Sequence, residues 1–251
     1  MKVTFDSNAW ETVFAAEEFL PAASVRLRAA MDGGLIEGFI SEAAFRIEAI
    51  QKKSRPVYFA EPHVTTTGWS LPTPPEPNLV PLLSLGPANA KHPGLPPQQL
   101  QKLKCAAEHG VRVIRALNWM GLPVPAQLSQ VLDYVADSGD VRALREQRQI
   151  NAFDSIRKRG VGKAAFDGAG GWSRPPQEPE KAKAFSEACA EWADGELVAA
   201  HIGYRNDVIC TNDFGRSAGD SVFNSQNRAW LTETYGVRFT TIEELAKEVP
   251  A

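Results

Sequence analysis

The chain has 251 residues, 43% of them hydrophobic and 23% charged, with a net charge of -3. That balance suits a globular fold with a sizeable core and excludes a global basic footprint, so any RNA or DNA contact must come from local clustering. Three cysteines without CxxC spacing, four histidines without paired spacing and no apolar run of ~18 residues argue against a disulfide framework, a zinc site and a membrane span. With no signal-peptide pattern at its start, the expectation is a cytoplasmic protein with no membrane partner.

Val3 to Phe5 read as a short strand, with Asp6 and Asn8 just beyond its carboxyl end. Pro21 to Met31 is helical in composition, and Asp32-Gly33-Gly34 stops it. "LIEGFIS" then reads as a strand, and Ser41 followed by "EAAFRIEAIQKK" as an N-capped helix. Strands alternating with helices predict a parallel sheet covered on both faces. Eleven of the 18 prolines fall between Pro56 and Pro97, and "SLPTPPEPNLVPLL" suits neither regular helix nor central strand. This stretch is expected to be an extended excursion with one short strand around "PVYFA". In "PPQQLQKLKCAAEHGVRVIRALNWMGL", Leu100, Leu103, Ala107, Val111, Ile114 and Leu117 recur at near-helical spacing, which favours the core for Trp119. "PVPAQLSQVLDYVADSG" and "DVRALREQRQINAFDSIRKRGVGK" follow, and "DGAGGWSRPPQEPE" breaks the helices again. "EKAKAFSEACAEWADGELVAAHIGYRN" is largely helical, "DVICTND" is a strand ending in acid, and "GVRFTTIEELAKEV" is a strand leading into a capped helix. The expected organisation is an α/β core from 1–54 and 180–251, with 55–179 inserted. The insertion divides into a Pro-rich excursion (55–97), a helical segment (98–165) and a loop (166–179).

Ligands of open parallel sheets bind beyond the carboxyl ends of the strands. Asp6 follows the first strand and Asp213 follows "VICT"; if those strands are neighbours, both carboxylates enter one crevice. Two such acids repel and raise each other's pKa unless a hard divalent cation compensates. Asp194 opens an apolar helical turn in "EWADGELVAAH", where an ordinary N-cap is the plainer explanation. Glu48 borders the apolar stripe of "FRIEAI", where a solvated edge position is the plainer one. Lys52, Arg157, Lys158 and Arg216 lie in locally basic stretches that suit either a phosphate backbone or a solvated face. "TNDFGRSAGDS" is a small Gly-rich loop that offers backbone amides to a phosphodiester or is simply mobile.

Taken in order, "VTFDSN", "FISEAAFRIEAI", "WADGELVAAHIGYRNDVICTNDF" and "YGVRFTTIEELA" resemble the PIN domain family of nucleases, over roughly the first 50 and last 60 residues. The resemblance implies a three-layer α/β/α sandwich around a central, mainly parallel sheet. It implies that Asp6, Glu48, Asp194 and Asp213 are catalytic carboxylates holding Mg2+ or Mn2+, with Asn8 and Thr211 orienting them. The implied activity is ribonuclease hydrolysis of RNA phosphodiester bonds. An inhibitory protein partner, as in toxin–antitoxin pairs, and a homo-oligomer are both compatible with it. The alternative is a non-catalytic PIN-like module that binds RNA or protein. The middle of the chain is longer than a compact PIN domain needs. The interval from Ser41 to Glu48 is also one step longer than the usual spacing, so Glu42 stands as the rival to Glu48.

Overall fold

A computed structural model describes residues 1–47, 50, 54–55, 63–70, 80–87, 94–119, 124–162, 179–215 and 221–250; for 47, 63–70, 80–87 and 179–183 only the backbone is described. The elements run β1 (Lys2–Phe5), α1 (Ser7–Val13), α2 (Ala22–Asp32), β2 (Glu37–Ser41), α3 (Ala43–Ile47), β3 (His63–Ser70), β4 (Val80–Pro87) and α4 (Pro97–Glu108). They continue with β5 (Arg112–Ile114), α5 (Ala126–Val131), α6 (Gly139–Lys158), α7 (Pro179–Tyr204), β6 (Val208–Cys210), α8 (Ser225–Tyr235), β7 (Arg238–Thr240) and α9 (Ile242–Glu248).

The central strands are short, and β1, β2 and β6 are buried on both faces apart from the exposed first residues of β1 and β2, the pattern of a parallel sheet covered on both sides. Five strands lie in the order β5-β2-β1-β6-β7, and every neighbouring pair is parallel. Val3 and Phe5 face one apolar layer together with Ile40, Val113, Val208 and Cys210, under α1, α2, α4 and α9. Ile209 faces the opposite layer with Leu197, Val198 and Leu231, and Phe39 and Ile114 also face away from the first layer. The result is the expected three-layer α/β/α sandwich. From β1 the chain builds outward to β2 and β5, then returns to lay β6 and β7 on the other side. The strand order therefore reverses between β1 and β6, the kind of place where ligand crevices form in such sheets.

The last helix is set by purely local chemistry. Thr241 Oγ1 accepts from the Glu244 N–H while the Glu244 carboxylate accepts from the Thr241 N–H, a reciprocal capping box.

The structure departs from the sequence reading in three places. The near-helical pattern through Val111, Ile114 and Leu117 does not continue as helix. α4 stops at Glu108, Gly110 turns the chain at φ +72°, and β-branched Val111–Ile114 enters the sheet as edge strand β5. The 98–165 segment thus supplies a strand of the central sheet, and the boundary placed around it does not separate it from the core. Trp119, expected in the core, is 48% exposed and stacks on Phe153 with ring centroids 6.3 Å apart. Within the Pro-rich excursion, β3 and β4 form a separate antiparallel ribbon in which Trp69 is in register with Pro81. A two-stranded ribbon has only edge strands, which is where proline is tolerated. The strand expected at "PVYFA" lies outside the described residues.

Candidate active site

Asp6 stands where β1 becomes α1. Its backbone N–H donates to the Cys210 carbonyl (3.0 Å), and its own carbonyl accepts from the N–H groups of Ala9 and Trp10. The residue therefore joins the β1–β6 ladder and caps α1 at once, so its buried side chain has little freedom. That carboxylate accepts from Ser7 N (2.7 Å), Asn8 Nδ2 (2.6 Å) and Thr211 Oγ1 (2.7 Å).

Thr211 and Asn8 tie the ends of the two strands together. Thr211 Oγ1 donates to Asp6 and accepts from the Asp213 N–H at 3.0 Å. Asn8 donates to Asp6 and accepts, through Oδ1, from the Asn212 N–H at 2.8 Å. Asp213 Oδ1 in turn accepts from the Gly215 N–H at 2.7 Å. Gly215 lies at φ +61°, and a Cβ there would fall 2.6 Å from Asn224 N, so this turn requires glycine. Arg228 runs beneath it, donating to the Asp213 and Phe223 carbonyls.

The third wall is α7. Asp194 does not cap a helix: it sits in the interior of a 26-residue one, so the N-cap explanation falls away. Glu187, Glu191 and Asp194 recur at i, i+4 and i+7 and therefore share one helix face. Asp6, Asp194 and Asp213 all line one crevice of about 690 Å3, together with Glu11, Glu187 and Glu191, and with Arg55 and Lys102 as its cations. Glu187 and Glu191 were missed in the sequence reading, although their spacing from Asp194 was a legible signal.

Burial raises the Asp6 carboxyl above its ordinary pKa, the bonds from Thr211, Ser7 and Asn8 pull it back, and the negative charge of Asp213 pushes it further up. Glu191 is raised in the same way, by burial first and by Asp213 in addition, against the pull of Val222 N–H and Ser221. The charge of Asp213 thus acts on both carboxyls. Among the described residues neither Asp6 nor Asp213 has a salt-bridge partner.

Glu42 behaves differently. Arg46 donates to Glu42 and Glu196, and Glu42 also accepts from the Ala116 N–H. Arg46, Glu42 and Glu196 are all buried. Glu42 is therefore the counter-ion of a guanidinium and does not line the crevice. Glu48, Lys52 and Arg216 lie outside the described residues. Arg157 and Lys158 are exposed at the end of α6 and do not line the crevice; Arg157 lies 3.7 Å from Asp154.

The crevice is lined by carboxylates, the ligand type that hard divalent cations take. An ionised carboxylate offers about four lone-pair sites, and Asp6 uses three of them on Ser7, Asn8 and Thr211. Among the described residues, no group of three or more His, Cys, Asp or Glu is gathered closely enough to hold an ion. Among the described residues no helix is long and apolar enough to cross a membrane. Comparison with protein-family models, curated proteins and solved structures gave no match.

Proposed function

We propose that the chain is a PIN-like ribonuclease that hydrolyses RNA phosphodiester bonds with Mg2+ or Mn2+. The observation that carries this reading is the meeting of Asp6 and Asp213 at the ends of adjacent parallel strands, where the strand order reverses, opposite the acidic face of α7. Asp6 and Asp213 would hold the cation, with Asn8 and Thr211 fixing the orientation of Asp6. The cation, when bound, supplies a water of lowered pKa and neutralises charge on the phosphate. Glu191, whose proton affinity is raised by burial, lines the same crevice and is the candidate proton acceptor. Asp194 adds negative charge on that wall, and Lys102 and Arg55 supply positive charge for the substrate backbone.

The test is Asp6→Asn against single-stranded RNA in Mn2+. Cleavage should fall at least about 100-fold with the far-ultraviolet circular dichroism spectrum unchanged. A variant that cuts at the wild-type rate overturns the assignment. The alternative reading is a PIN-like module that binds RNA without cutting it. Tight oligonucleotide binding by wild type without cleavage in either metal would select that one.

A further inference from the structure

A second cavity, of about 610 Å3, lies between the Phe14–Phe19 segment and α4. It adjoins the acidic crevice, because Lys102 lines both. The Lys102 ammonium is held there by the Glu11 carboxylate at 2.9 Å, and Glu11 also accepts from Gln99 at 2.9 Å. One cation thus marks the divide between the two spaces.

The walls of this cavity differ from those of the crevice. Phe19 stands 73% exposed on a single 3-10 turn. Gln98 and Gln101 present exposed amides from α4, Glu17 and Glu108 present carboxylates, and Arg28, bonded to the Val13 and Ala15 carbonyls, and His109, 2.7 Å from Asp32, also line it. Carboxylates repel a phosphate but accept hydrogen bonds from exocyclic amines. An exposed aromatic face beside amide and carboxylate groups is the chemistry that takes an unstacked base by stacking and by bonds to its edge. The volume lies within the range of small-molecule pockets.

We infer that this pocket receives a nucleobase of the RNA strand whose phosphodiester lies in the acidic crevice. Phe19 stacks on the base, Gln98, Gln101 and the two carboxylates read its edge, and Lys102 meets the intervening phosphate. The inference rests on the ribonuclease reading and adds to it a specificity subsite.

The experiment uses single-stranded RNA oligonucleotides carrying one abasic nucleotide, stepped along the positions on either side of the cut. Wild type, Phe19→Ala and Phe19→Trp are compared. Phe19→Ala should raise KM roughly 5- to 10-fold with little change in kcat, as loss of one stacked base predicts, and Phe19→Trp should restore it. At one position the abasic substitution should cost wild type a similar factor and cost Phe19→Ala nothing more. A binding readout is independent of turnover. Cys105 lines this pocket whereas Cys189 and Cys210 are buried, so an RNA oligonucleotide should slow alkylation of Cys105 in the Asp6→Asn variant. If wild type cleaves but the Phe19 and abasic effects are independent, or Cys105 is not protected, the subsite is overturned and the ribonuclease reading stands. If wild type cleaves no RNA at all, both fail.

Discussion

Arg46→Met should be among the most damaging single substitutions in this chain. The Arg46 guanidinium bridges Glu42 and Glu196 and also donates to the Leu117 and Ala116 carbonyls, so it binds α3, α7 and the segment after β5 together. At about 4 Å and an effective dielectric near 20, each opposite charge is worth about 4 kcal/mol. Methionine would leave two buried carboxylates facing each other, and breaking a buried pair costs ~3–5 kcal/mol. That is a large fraction of a typical total of about 5–15 kcal/mol. The cost must depend on pH. Burial, opposed by Arg46, already lifts Glu196 from its ordinary range to about 7. In wild type this raised pKa means that stability falls as pH rises from the unfolded value toward 7, because the folded state holds the proton longer. Arg46 holds the buried Glu196 carboxyl down, so in Arg46→Met that carboxyl takes up a proton more readily, and its protonation offsets more of the cost at pH 5 than at pH 8. Urea unfolding at both pH values should therefore give a loss of several kcal/mol at pH 8 and a clearly smaller one at pH 5. A loss under about 1 kcal/mol at pH 8 would refute the structural role of the cluster.

Two further outcomes are expected. Mn2+ at about 100 times its Kd should stabilise the folded state by ~2.7 kcal/mol, or roughly 5–10 °C for a chain of this size. Asp213→Asn should abolish that rise and Glu42→Gln should keep it; the reverse pattern in differential scanning fluorimetry would make Glu42 the ligand. His201 is buried with its Nδ1 2.9 Å from Thr4 Oγ1, and burial lowers its pKa to about 3. The unfolded chain takes up this proton below about pH 6.5 and the folded chain does not, so stability is lost as pH falls through that window. The loss between pH 6.5 and 5 should be ~2 kcal/mol. It should shrink in His201→Gln when urea unfolding is followed at both pH values; an unchanged slope counts against the assignment.

The sequence by itself determined the local events around the candidate site. The apolar strands, the acids placed just past them, the glycine stop after α2 and the Thr241–Glu244 cap each depend on neighbours a few residues away, where periodicity and capping chemistry act. Even the turn into β5 had a local signal, Gly110 followed by a β-branched run, which the longer helical periodicity obscured. Tertiary structure decided everything that depends on distant partners. Asp6 and Asp213 meet only because β1 pairs with β6 across about 200 residues of chain, a ladder that no local pattern specifies. Asp194 has the composition of a cap but lies inside a helix, because packing against α6 carries α7 through it. Glu42 and Asp6 look alike as carboxylates beside strand ends; what separates them is Arg46 and Glu196, drawn in from α3 and α7. Burial and charge pairing are properties of the assembled neighbourhood, and only the folded chain sets which acid is neutralised and which is left facing the crevice.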